Sequence, residues 1–217
     1  MIKSTKFRLE RIRLKKKFIA LSILLVLSAI IAGCSNYKFK ETIDYEIADF
    51  TVTDHRGETI SLEDLKGEPW LAMFVFTNCN TICSPMTYNM ADIQEKLIEE
   101  GIEDYKIIGF SVDPENDSPE VMTEYLARHT VPDESKWHYV SGYDQAFIEQ
   151  LALNSFKVLA KKVEGEEQVY HSSSIFLVDE KGVAVKYYDG YTTNANGIPI
   201  DTIAIDLDTL IEERLGK

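Results

Sequence analysis

Thr77-Asn78-Cys79-Asn80-Thr81-Ile82-Cys83-Ser84-Pro85-Met86 is the stretch from which the rest of the chain is read. Before it runs Trp70-Leu71-Ala72-Met73-Phe74-Val75-Phe76, an unbroken apolar segment of strand length. After it, Met86, Met90, Ile93 and Leu97 fall on one face of a helix. Two cysteines therefore sit in the turn between a core strand and a helix N-terminus. The unpaired backbone N–H groups of such a turn, with the helix dipole, favour thiolate over thiol.

Working outward, Phe50–Thr53 and Glu58–Ile60 alternate about Asp54-His55-Arg56-Gly57, a hairpin signal. Ser61–Gly67 reads as a short helical turn closed by Gly67. The helix after the cysteines runs to about Glu100 and stops at Gly101. Tyr105–Val112 is a second buried strand, and Asp113-Pro114-Glu115-Asn116-Asp117 a turn. Ser118 is an N-cap with Pro119 at the first helical position, opening a helix to about His129. His138–Val140 is a short strand and Asp144–Ser155 a third helix. Ile175–Val178 and Val183–Tyr187 make a hairpin about Asp179-Glu180-Lys181-Gly182, and Thr202–Leu215 is a closing amphipathic helix. Strands alternating with helices predict an α/β fold with a central mixed sheet, flanked by helices and preceded by an N-terminal β-hairpin. A cysteine pair on a strand-to-helix turn within that pattern points to a thioredoxin-like domain.

The chain has 217 residues, enough for one domain plus a targeting segment. Met1–Lys17 carries eight Lys or Arg against Glu10 alone, and the uncharged run Phe18–Gly33 follows. Basic and then apolar is the order of an export signal, and the run is short of the roughly 20 residues of a membrane span. Ile31-Ala32-Gly33-Cys34 resembles the bacterial lipobox, whose cysteine carries a diacylglycerol after cleavage. The alternative is an uncleaved signal anchor. Residues 1–33 are thus expected as a lipoprotein signal peptide, 34–47 as the lipidated N-terminus and tether, and 48–217 as the folded domain. Either reading puts that domain outside the cytoplasm, held at the cell membrane.

Of 23 basic and 36 acidic residues, the leader takes eight and one, leaving a net charge of about −20 on the rest. Such a domain has no basic face for nucleic acid. Anionic lipid heads repel it, so the lipid at Cys34 is its expected hold on the membrane. With Cys34 so assigned, Cys79 and Cys83 are the remaining thiols of the 3 cysteines. An isolated close pair outside the cytoplasm is a disulfide, a redox couple or a soft-metal site. A purely structural disulfide would close only three intervening residues and constrain little.

The spacing is Cys-x-x-x-Cys, where redox thioredoxins use Cys-x-x-Cys. Two thiolates with a nitrogen suit copper: thiolate is soft and favours Cu(I), and imidazole accommodates Cu(II). A structural zinc site needs four ligands. His171, in Val169-Tyr170-His171-Ser172-Ser173-Ser174, lies just before the strand Ile175–Val178. In a thioredoxin-like sheet that segment passes beside the cysteine turn, where thioredoxins keep a cis-proline. His55, His129 and His138 read as structural or exposed. Met73, Met86 and Met90 read as core, not as copper ligands.

Phe76-Thr77-Asn78-Cys79-Asn80-Thr81-Ile82-Cys83 with Pro85-Met86-Thr87 resembles the cysteine motif of the SCO/SenC family of copper proteins. So does Ser111-Val112-Asp113-Pro114-Glu115-Asn116-Asp117-Ser118-Pro119-Glu120, and so does His171-Ser172-Ser173 leading into Phe176-Leu177-Val178. The three motifs keep the family's order over roughly 50–215. The resemblance implies a thioredoxin fold binding one copper, Cu(I) or Cu(II), through Cys79, Cys83 and His171. It implies a role in assembling the binuclear copper centre of cytochrome c oxidase subunit II, as copper donor, as reductant of that subunit's cysteines, or both. One departure stands out. The family usually has proline directly after the second cysteine, and here Ser84 intervenes, for which a small change in the loop is expected. Asp113 is a candidate to orient a ligand, or else it only opens its turn. Two alternatives are a metal-free thiol–disulfide oxidoreductase and a peroxiredoxin-like peroxidase, the second suggested by the N-terminal hairpin with Ser61–Gly67. The missing proline beside His171 disfavours the first, and the lack of an arginine near the cysteine turn the second.

Overall fold

In the computed structural model, residues 38–166 and 168–217 are described. The expected lipidation site Cys34 and the signal segment lie outside them. The folded unit spans Phe39–Lys217.

The apolar run does become a strand, β4 (Trp70–Val75), every residue of it buried. It is central because both its faces are apolar, and such a strand needs cover on each side. The sheet has eight strands: β1 (Tyr45–Glu46), β2 (Thr51–Asp54), β3 (Thr59–Ser61), β4, β5 (Lys106–Ser111), β6 (Trp137–Ser141), β9 (Ser174–Val178) and β10 (Val183–Asp189). Their order is β1-β10-β9-β4-β5-β6-β2-β3. Strands β4, β5 and β6 run parallel, and the remaining pairings are antiparallel. The helices flanking the sheet are α1 (Leu62–Leu65), α2 (Cys83–Glu99), α3 (Pro119–Ala127), α4 (Gln145–Ser155) and α5 (Ile200–Leu215). This is the mixed sheet flanked by helices expected of a thioredoxin-like domain, with β2–β3 as the N-terminal hairpin.

Local signals explain most boundaries. Ser61 and Asp64 form a reciprocal capping box at α1. The Ser118 side chain accepts from Val121 N–H, with Pro119 next to it, and Asp144 accepts from Phe147 N–H at 2.7 Å. Met73, Met86 and Met90 are fully buried, as core. No helix among the described residues is long and apolar enough to cross a membrane.

Two features differ from the sequence-based expectation. The segment read as a tether contributes β1, an edge strand, and its Thr42 and Ile43 N–H groups donate to Val185 C=O at 3.0 and 3.2 Å. Two residues are too few to show a period, so only their pairing partner reveals them. The second is a separate two-stranded ribbon, β7 (Ala160–Lys162) with β8 (Val169–His171). Its charged Lys161-Lys162 and its shortness hid it in the sequence.

Candidate metal centre

The site is built at the carboxyl end of β4, where open α/β sheets place their ligands. The chain leaves β4 at Phe76 and Thr77. Asp117, buried at 1% exposure, fixes that exit. Its carboxylate accepts from Thr77 Oγ1 at 2.5 Å, from Thr77 N–H and from Ser111 Oγ at 2.5 Å. Burial raises its pKa, and the hydroxyl and amide donors partly offset this.

Helix α2 opens at Cys83, with Ile82 as an N-cap whose side chain makes no capping bond. The first intrahelical bond is Met86 N–H to Ile82 C=O, 2.9 Å. Pro85 is the third helical residue, where a missing N–H costs nothing because that donor has no partner in any helix. The Cys83 N–H, equally free of the helix, donates to Cys79 Sγ at 3.4 Å. Ser84 leaves this geometry intact. Its hydroxyl donates to His129 Nε2 at 2.8 Å, while His129 Nδ1 faces Tyr125 C=O at 2.8 Å. Beneath the turn, Thr87 Oγ1 bonds Cys83 C=O, Tyr125 OH and Tyr139 OH, a buried polar knot under the second cysteine.

His171 ends β8 and reaches the turn across 88 positions of sequence, with Nε2 at 3.3 Å from Cys83 Sγ. Its Nδ1 lies 2.9 Å from Ser172 C=O. A carbonyl only accepts, so Nδ1 carries the proton and Nε2 presents its lone pair to the sulfurs. The ring packs edge-on against Phe76, centroids 5.7 Å apart.

Cys79 is partly exposed, Cys83 buried, and both are free thiols. The pair is electrically asymmetric. The neighbouring Cys83 thiol outweighs burial and draws Cys79 down to about 2. Burial, and then the Cys79 thiolate beside it, push the Cys83 thiol up. The metal-free site thus pairs a partly exposed Cys79, whose thiolate form the Cys83 N–H and the neighbouring thiol favour, with a buried Cys83 favoured as thiol.

The donor atoms of Cys79, Cys83 and His171 all lie within 4.8 Å of one another, the one such grouping of metal-binding side chains among the described residues. An ion bonded to three S and N donors at about 2.0–2.3 Å needs them within roughly 4 Å of each other. The three therefore fit a single soft ion after a small closure. Two sulfurs and one nitrogen match copper's preferences in both its oxidation states.

The sequence brought Asp113 forward as well, and the structure places it elsewhere. Asp113 is buried at 1% exposure. Its carboxylate takes Lys162 Nζ at 2.6 Å and Asn116 Nδ2 at 2.8 Å, with no bond to either cysteine or to His171. It fastens the ribbon that carries His171. His55 and His129 are buried and His138 is half-buried, none of them at the site. Asp117, four residues beyond Asp113, was read in the sequence only as part of a turn and of a family motif. Its signal was the Thr77 and Ser111 hydroxyls at the ends of two adjacent strands, each needing a buried acceptor.

The SCO1/SenC family profile matches residues 40–203. The chain belongs to the SCO1/SenC family. A SCO1 protein homolog of Bacillus subtilis (strain 168) is 45% identical over 177 residues, covering 82% of this chain and 89% of the relative. Among solved structures, BsSco, described as a member of the Sco family of cytochrome c oxidase assembly proteins with a disulfide switch, is 45% identical. It superposes with a TM-score of 0.71 over 80% of this chain and 98% of that one. ScoI of Bradyrhizobium japonicum, solved with copper bound, gives 28% identity and a TM-score of 0.62 over 76% and 99%. As an SCO1/SenC protein, the chain thus has homologues that bind copper and take part in cytochrome c oxidase assembly.

Proposed function

We propose that this SCO1/SenC chain is a membrane-tethered, extracytoplasmic copper-binding protein that helps assemble the binuclear copper centre of cytochrome c oxidase subunit II. Cys79, Cys83 and His171 hold one copper, which passes to the partner's thiolates. The observation that carries this reading is the convergence of two sulfurs and a tautomerically prepared Nε2 from segments 88 positions apart. The tether is a lipid on Cys34, supported by the lipobox-like Ile31-Ala32-Gly33-Cys34.

The test is titration of the reduced full chain in detergent with Cu(II). A thiolate-to-copper charge-transfer band should saturate at one copper per chain and be lost in Cys79→Ala, Cys83→Ala and His171→Ala. If His171→Ala holds Cu(II) as tightly as the unaltered chain, the ligand set is wrong. Oxidation to a Cys79–Cys83 disulfide should abolish binding, and a dithiol reductant should restore it.

The asymmetry of the thiols favours a second reading beside the first. A partly exposed thiolate backed by a buried thiol suits reduction of a partner disulfide. Cys79 attacks one partner sulfur, forming a mixed disulfide and releasing the other as thiolate. Cys83 then loses its proton and attacks Cys79 Sγ, closing the intramolecular disulfide and freeing the partner's second thiolate. His171→Ala keeps both thiols. Full oxidase assembly by that variant, without copper bound, would favour reduction over delivery.

A further inference from the structure

The imidazole and the thiols of the proposed copper site sit on separate pieces of structure. Cys79 and Cys83 belong to the turn between β4 and α2, and His171 to the β7–β8 ribbon, which stands outside the main sheet. The far strand of the ribbon is held by charge. Lys162 Nζ meets Asp113 and Glu115 at 2.6 and 2.9 Å, and Lys161 Nζ meets Glu149 at 2.8 Å. No ion pair among the described residues holds the near strand. Among the described residues, the polar side-chain contacts from β8 and its preceding loop to the cysteine turn come from His171 itself and from Gln168.

Gln168 makes two bonds. Its Nε2 donates to Asn78 C=O at 3.1 Å and its Oε1 accepts from Asn80 N–H at 3.3 Å. Those are the two peptide groups that flank Cys79. One amide side chain thus spans the peptide groups on both sides of Cys79. Gln168 is three residues from His171, too close for the chain between to take up much slack. The two contacts together therefore set the distance from Cys79 to the imidazole.

We propose that Gln168 is a positioning residue that latches the His171 ribbon onto the Cys79 turn, and so decides whether the site offers copper three donors or two. This rests on the ligand set proposed above. Two thiolates alone satisfy Cu(I), whereas Cu(II) gains from the imidazole. Releasing the latch therefore weakens Cu(II) binding more than Cu(I) binding, and shifts the site's preference toward the reduced ion.

The test uses the reduced full chain in detergent, with Gln168→Ala and Gln168→Glu. The glutamate keeps the acceptor for Asn80 N–H and loses the donor to Asn78 C=O. Without metal, amide hydrogen exchange of Asn80 should speed up at least about tenfold in Gln168→Ala and stay near the unaltered rate in Gln168→Glu. In competition titrations, Gln168→Ala should weaken Cu(II) by about tenfold, within the range seen for groups that orient a ligand. Cu(I) should weaken by less than about threefold, and Gln168→Glu should fall between. Unchanged Asn80 exchange in Gln168→Ala overturns the latch. So does equal weakening of both ions, which would mean general loosening. If Gln168→Ala unfolds, the glutamate variant decides alone: Cu(II) loss without Cu(I) loss supports the latch and any other result removes it. Failure of the unaltered chain to bind copper would overturn the ligand set instead, with the metal-free exchange still judging the latch.

Discussion

At the residue scale, two positions show how tightly the cysteine turn is supported from below. Gly109 lies opposite Tyr139 in the β5–β6 pairing. A Cβ there would sit 2.3 Å from the Tyr139 ring. That ring is fully buried, and its hydroxyl bonds Thr87 under Cys83. Gly109→Ala is expected to cost about 1–3 kcal/mol by overpacking, read as a lowered urea midpoint. Ser84 is the other. Ser84→Ala removes the donor to His129 Nε2, a buried acceptor, and should cost about 1–3 kcal/mol. Copper affinity should stay within about threefold, since neither residue is a ligand. A larger loss of affinity would mean that the serine reaches the metal. The sequence marked Ser84 as the departure from the family pattern. Its partner, 45 positions away, could not be read there.

At the scale of elements, the β7–β8 ribbon is the part the sequence hid and the site needs. Lys162 holds it to the turn after β5 through Asp113 and Glu115. Lys162→Met should raise amide exchange across Val169–His171 while β4 and β5 keep their protection, because those strands pair within the main sheet. If exchange rises evenly over the whole domain, the lysine supports global stability and not the ribbon. Asp113 thus fastens the ribbon, through Lys162. Helix α2 teaches a related lesson. Its start was legible because an apolar face and a proline mark it. That its first amide would donate to the sulfur of Cys79 followed from neither.

For the whole molecule, buried histidines set a pH dependence. His55 and His129 are 2% and 5% exposed. Burial is the chief cause holding both imidazoles below their usual 6.5. Unfolded, they return to it, so below that pH the unfolded chain binds more protons than the folded one and stability falls as pH drops. In a Cys79→Ser chain, where the lowered Cys79 thiol no longer adds its own pH dependence, a loss on the order of 1 kcal/mol is expected between about pH 7.5 and 5.5, measured by urea unfolding. His129→Gln, less stable throughout, should lose less over that interval. An equal loss would assign the effect to other groups. The strong negative charge of the domain is a whole-molecule property too, and it repels anionic lipid heads.

The sequence by itself determined the α/β order, the strand–turn–helix that presents Cys79 and Cys83, the N-cap at Ser118 and the helix starts at Ser61 and Asp144. These depend on side-chain period and on bonds within a few residues, which any chain with those residues would make. It also named His171, through a resemblance across three motifs. Only the tertiary structure decided that His171 Nε2 faces the sulfurs, that Asp113 serves the ribbon while Asp117 fixes the strand exit, and that Gln168 bridges the peptides around Cys79. Each of those contacts joins residues at least 40 positions apart. Pairings at such a distance are chosen by how the whole core packs, and no local pattern encodes them.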